Sequence, residues 1–137
     1  MPVHHAEFTL VTSQHNQVLD ITERVQRAVR ESNIASGVCT VYTPHATAAI
    51  AINENDDPNI GTDLMAALAK VIIEHDGWLH DRIDNNAAAH IKSAVIGPSE
   101  SIPVRDGRLA LGRWQNVFLC EFDGPRSTRR VLVSVVG

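Results

Sequence analysis

The chain is short of cysteine, of positive charge and of long apolar runs, and each shortage narrows what it can be. Only Cys39 and Cys120 occur, far apart and each inside an alternating apolar stretch. That spacing matches no zinc or redox motif, so two buried free thiols are expected. A net charge of −4 argues against a nucleic-acid binder working through a broad basic surface. It leaves room for a local phosphate pocket, which needs only a few Arg side chains or backbone N–H groups. No apolar run approaches the roughly 18 residues of a membrane helix. The opening MPVHHAEFTLVTS has no basic stretch ahead of an apolar core, so no signal peptide is expected and the reading is a soluble, cytoplasmic protein. Repeats, linkers and low-complexity segments are also missing.

What is present is ordinary globular material. With 137 residues, 44% hydrophobic and 20% charged, the chain fits one domain over residues 1–137 and can bury a core. Ala6, Phe8 and Leu10 alternate in a first strand, His5 to Val11. Asp20, followed three positions later by Glu23, makes a capping-box pattern, and Ile21, Val25, Ala28 and Val29 then recur at helical spacing over Ile21 to Ser32. Gly37 to Thr43 and Thr47 to Asn53 read as strands. The second is so apolar, from Ala46 to Ile52, that burial on both faces is expected. Asp57-Pro58 opens a second helix, whose face carries Leu64, Leu68, Val71, Ile72 and, by continuation, a core His75. A third helix is expected over Asn86 to Ile96. Asp106-Gly107 between Val104 and Leu109 is a hairpin signal. Trp114 to Phe122 and Arg130 to Val136 close the chain as strands, expected to pair through the Asp123-Gly124-Pro125 turn. The order predicts an α+β fold: a sandwich-like, largely antiparallel sheet arrangement with two to three helices.

Three histidines stand out. His80 and His90 bracket the acid-amide run HDRIDNNAAAH, and His45 follows Pro44 at the junction of two apolar strands. Imidazole ligates metals and titrates near neutral pH, so the set could hold a divalent cation or move protons. The plainer reading of His80 and His90 is a solvated loop histidine and a hydrogen-bonded helix histidine. The run NENDDP, from Asn53 to Pro58, offers Glu54, Asp56 and Asp57 to a cation or a positively polarised substrate, or simply caps a helix. In GRWQ, Trp114 beside Gln115 either lines a ring pocket or packs in the core. Arg126, Arg129 and Arg130 either clamp a phosphate or form a solvated basic turn. Arg129 and Arg130 are adjacent on a strand, so their side chains take opposite faces and only one can address a given pocket. His4, His5 and His15 read as surface positions.

Taken in order, HATAAIAINENDDP, HDRIDNNAAAHIKSAVIG, GRLALGRWQ and RRVLVSV resemble the YjbQ-type family of small proteins, secondary thiamine-phosphate synthases. The resemblance runs from about Phe8 to Gly137. It implies a homotrimer with pockets near the subunit interfaces and a divalent metal, zinc with magnesium as the alternative, on His45, His80 and His90. It also implies condensation of a pyrimidine methyl pyrophosphate with a thiazole phosphate, as a main or a side activity. Asp57 and Asp84 are then the candidate catalytic bases, and Asn53, Asn55, Trp114, Gln115, Arg129 and Arg130 the candidate substrate-binding residues. The family's Asp-Asp-Asn-Ala reads Asp84-Asn85-Asn86-Ala87 here, which replaces one carboxylate by an amide. Ala46 stands where a hydroxyl residue is common. The expected partner is a small phosphorylated molecule, with no nucleic acid and no membrane. The alternatives are a metal-dependent hydrolase, in which the cation lowers the pKa of a bound water, and a non-catalytic trimeric module that captures a phosphorylated metabolite.

Overall fold

The computed structural model describes residues 1–137. Strand β1 (Val3–Thr12) turns His4, Ala6, Phe8 and Leu10 inward and their neighbours outward. The short β2 (Gln17–Asp20) follows, too brief to carry a readable alternation. Helix α1 (Thr22–Ser32) starts where the Asp20 carboxylate accepts from the Thr22 backbone N–H at 2.9 Å and its hydroxyl at 2.6 Å. It buries Val25, Ala28 and Val29 and ends at Asn33, in the left-handed conformation that Asn tolerates.

Strands β3 (Gly37–Tyr42) and β4 (Ala48–Asn53) lead to helix α2 (Asn59–Val71), where Asp57 Oδ1 accepts from the Asn59 N–H at 3.0 Å. The helix stops before His75, which is exposed with φ +56°. The core position expected for His75 is therefore corrected: the apolar period ends with Ile72. A 3₁₀ turn (Leu79–Arg82) precedes α3 (Ala87–Ile96). Strands β5 (Ser99–Arg105) and β6 (Arg108–Leu109) form the expected hairpin, with positive φ at both Asp106 and Gly107. Strands β7 (Asn116–Glu121) and β8 (Arg126–Val136) complete the chain.

All strand pairs are antiparallel. They form one sheet of order β1-β8-β3-β5-β6 and a second of order β2-β7-β4. The main core lies between them and joins Val41, Val133 and Val135 to Ile50, Val117, Leu119 and the buried face of α1. On the other side of the smaller sheet, Ala49, Phe118, Cys120 and Phe122 meet Ala89 of α3 and Leu64, Met65 and Leu68 of α2. The fold is thus α+β, a sandwich of two antiparallel sheets with a helical layer outside the smaller one. Alternate residues of β7 feed both cores, which explains its unbroken apolar run. Each fully buried Phe or Leu there contributes about 1.5–3 kcal/mol.

One expectation about strands changes and another holds. β7 and β8 do not pair, because the turn after Glu121 carries the chain from one sheet to the other. β4 is covered on both faces as expected, but by this chain's own elements, so its apolar run requires no second subunit. Cys39 and Cys120 are free and buried, and burial pushes their thiols up to about 11 and about 12. No helix is long and apolar enough to cross a membrane.

Candidate functional site

His45 sits in the crossing from β3 to β4, pinned at several points to β8 and to the end of α3. Thr43 donates its hydroxyl to Arg130 O at 2.8 Å and its N–H to Pro98 O at 2.9 Å. The Arg130 backbone N–H in turn donates to His45 Nε2 at 2.9 Å. Beneath this crossing lies a buried ion pair. Arg129 Nε donates to Glu121 Oε1 at 2.8 Å, and Arg129 Nη2 reaches Glu121 Oε2 and, at 2.9 Å, Thr47 Oγ1. Glu121 also accepts from Thr12 Oγ1 at 2.7 Å and from the Asp123 N–H at 3.0 Å. Burial alone would raise the Glu121 pKa, but Arg129 and these donors outweigh it and hold the carboxyl below its ordinary value.

The same surroundings act on His45. Burial, then the nearby Arg129 and Arg130 charges, with a smaller push from Arg126, lower its pKa against the opposing pull of Glu121. The ring is therefore neutral at neutral pH. Its single lone pair accepts from Arg130, so the proton is on Nδ1.

His45 lines a cavity of about 310 Å³ together with Ala46, Ala48, Pro98 and three residues of α3, His90, Ser93 and Ala94. His80 meets His90 edge to face, with ring centroids 4.7 Å apart. His80 Nε2 is buried without a hydrogen-bond partner and lies 3.6 Å from Asp84 Oδ2. The fold thus brings His90 of α3 to the same cavity as His45 and sets His80 against His90. It does not make them a ligand set: no group of three or more His, Cys, Asp or Glu is disposed to hold a metal ion. His45 in addition has no lone pair to offer, since its only one is taken by a backbone N–H. His80 and His90 fit a cation as two imidazole donors, and the third donor does not fit as it stands.

The remaining candidates fall elsewhere. Asp57 is exposed and caps α2, and Asp84 is exposed beside His80. Asn53 is exposed and accepts from the Glu54 N–H at 2.7 Å. Asn55 donates to Asp20 Oδ2 at 3.0 Å and borders a separate cleft of about 360 Å³ with Gln14, Asn16 and Gln17. Trp114 precedes β7 and is half exposed under the Arg113 guanidinium, so neither a strand nor a core position holds it. Gln115 Oε1 accepts from the Gly112 N–H at 2.8 Å and closes GRWQ into a turn of its own. Arg129 and Arg130 do take opposite faces: Arg129 is buried on Glu121, while Arg130 reaches Glu7 at 2.6 Å on the surface. Arg130 therefore does not lie toward Glu121 as the expected β7–β8 pairing required; Arg129 is closed off in the interior, while Arg130 is held to Glu7 through Nε alone at the surface. Asn85, the departure from the family pattern, is exposed with φ +57°, a conformation that Asn adopts readily.

Sequence reading passed over Glu121, Lys92 and Ser93, all of them buried. A carboxylate ending the run VFLCE signals a buried partner, because such groups are seldom buried unpaired. The lysine and serine gave no comparable signal, since three alanines and a histidine blur the apolar face of α3.

Comparisons with known proteins come from sequence and from structure. A family described as "UPF0047 protein YjbQ-like" matches residues 6–137. The UPF0047 protein of Archaeoglobus fulgidus is 42% identical over 95% of this chain and 99% of its own. The UPF0047 protein YugU of Bacillus subtilis is 41% identical over 92% and 94%. Among solved structures, a protein of unknown function from Sulfolobus solfataricus, described as YbjQ-like, superposes with a TM-score of 0.96 at 36% identity, covering 98% of this chain and 97% of its own.

Proposed function

The chain belongs to the UPF0047 family of YjbQ-like proteins, and on that premise we propose that it is an enzyme acting on a phosphorylated ring compound at the His45–His90 cavity. The observation that carries this reading is His45 itself. A neutral imidazole with a fixed tautomer, in the field of three arginines, opens onto a cavity shared with a second imidazole. That combination favours an anionic ligand and supplies a proton donor to it.

The reaction proposed is that of a secondary thiamine-phosphate synthase. The thiazole nitrogen forms a bond to the pyrimidine methylene carbon while the carbon–oxygen bond to pyrophosphate breaks, and the electron pair leaves on pyrophosphate. Positive potential at His45 stabilises the charge that develops on the leaving group. His80 and His90 are proposed as donors to a divalent cation, zinc or magnesium, on the support of the unpartnered His80 Nε2. A homotrimer is proposed as well. Its support is the outer face of the larger sheet, where Val3, Val136 and Val38 align across three strands and Val3, Val38 and Tyr42 are exposed.

The test is pyrophosphate release by the purified protein given both substrates, with metal removed and restored. Release that requires the thiazole phosphate and is lost in His45→Asn and His90→Ala is expected. Release without the thiazole would instead mark a hydrolase, and binding of both substrates without release a binding module. Metal analysis should show the bound cation lost in the His80→Ala/His90→Ala double variant. Light scattering that reports a 15.0 kDa particle would refute the trimer.

A further inference from the structure

We propose that His45 and Ser93 form the phosphoryl-binding subsite of this cavity, with His45 donating from Nδ1 and Ser93 from its hydroxyl to the ligand's oxygens. The inference rests on the cavity being a substrate site, but on no particular reaction there.

The first observation is the tautomer. The Arg130 backbone N–H donates to His45 Nε2 at 2.9 Å, so that nitrogen carries no proton and the neutral ring must carry it on Nδ1. Nδ1 has no partner in the protein, which leaves a donor unused on a residue that lines the cavity. The second observation is Ser93. It is only 6% exposed, yet its hydroxyl has no hydrogen-bond partner. A serine inside a helix ordinarily bonds back to the carbonyl four residues earlier, here that of Ala89. Ser93 makes no such bond, and it lines the same cavity as His45. A buried hydroxyl left unpaired costs about 1–3 kcal/mol, a cost that a bound acceptor removes once rotation about the Cα–Cβ bond brings the hydroxyl to the cavity.

Charge then selects the ligand. Arg129, Arg130 and Arg126 all act on His45 as positive charges, opposed only by Glu121. Their guanidinium groups are already paired with Glu121, Glu7 and Asp123. None of the three lines the cavity, so they act on it as field, and neutral donors inside that field favour an anion. The other lining residues, Ala46, Ala48, Ala94 and Pro98, are small and leave room for a compact tetrahedral group.

The probes are inorganic phosphate and a simple phosphate monoester, titrated at fixed pH and ionic strength. Calorimetry gives the affinity and nitrogen-15 spectra of the histidine rings give the place. Both probes should shift the His45 ring, and Ser93→Ala should weaken binding about tenfold, as expected of one hydrogen bond to a charged acceptor. Arg130→Gln keeps the backbone N–H and should weaken it less. Unchanged phosphate affinity in Ser93→Ala, or a shift confined to histidines away from the cavity such as His5 and His15, would overturn the subsite. Binding of free phosphate with no binding of the monoester would overturn its assignment to a phosphorylated substrate. Should both probes bind as expected while no pyrophosphate is released from the synthase substrates, the subsite stands and the synthase reading falls.

Discussion

Two buried polar regions of this molecule have opposite character. Around Glu121 and Arg129, under the β3–β4 crossing, both charges are closed off from solvent and both are well supplied with partners. Around the 3₁₀ turn and α3, four of the five buried polar atoms without a partner are found: His80 Nε2, Asp81 Oδ2, Asn86 Oδ1 and Ser93 Oγ. Lys92 belongs to that second region too. It is fully buried, and its ammonium has one long bond, 3.3 Å to Asn16 Oδ1, and the face of Phe122 at 5.9 Å. A satisfied network fixes one arrangement of the chain, whereas unsatisfied groups clustered in one region mark a place kept for something else. The first region therefore reads as scaffold and the second as site, and His45 stands at their boundary.

The largest effect should come from breaking the satisfied pair. Arg129→Ala leaves Glu121 charged and alone in the interior and should cost about 3–5 kcal/mol, read from denaturant unfolding. A loss below about 1 kcal/mol would mean that the pair behaves like a surface bridge and would dissolve the contrast. Replacing both partners by leucine should cost far less than either single change. Acid sharpens the same point. The folded-state pKa of Glu121 lies below its ordinary 4.5, so its contribution is complete above that value and is lost as pH falls through the lowered one. Unfolding followed across that window should show the loss in the wild type and not in the double leucine variant.

In the open region the signs reverse. Lys92→Met should raise stability at neutral pH by on the order of 1 kcal/mol, because it removes a poorly partnered buried amine. Burial lowers the Lys92 pKa, and Glu74 offsets this in part. The unfolded chain then binds that proton more tightly, so wild-type stability should rise with pH from the lowered value toward 10.5. A Lys92→Met protein with the same alkaline profile as wild type would remove Lys92 from this account. The smallest effect is expected of Ser93→Ala, from no change to a gain of about 1 kcal/mol, since no bond is lost and an unsatisfied hydroxyl goes. A clear destabilisation in thermal or denaturant unfolding would show that Ser93 is already paired, and would place it with the scaffold.

Local pattern determined more of this protein than any single motif did. Helix α1, the Asp106-Gly107 hairpin and the buried thiols follow from spacing within short windows, because period, turn chemistry and composition are properties of neighbours in sequence; the family follows from the resemblance of four motifs taken in order. The resemblance to the family put His45, His80 and His90 into one site; the fold shows His90 sharing a cavity with His45 and touching His80. No motif shows what lies around them. That Glu121 pairs with Arg129 and not with Arg130 follows from β7 and β8 lying in different sheets, and no local pattern says which sheet a strand will join. That His45 gives its lone pair to the Arg130 N–H, and so cannot complete a three-histidine metal site as it stands, depends on one contact across 85 positions of the chain. Periodicity tells a side chain which face it occupies. Only the packed structure decides what waits on the other side, because hydrogen-bond partners and burial are set by elements far apart in sequence.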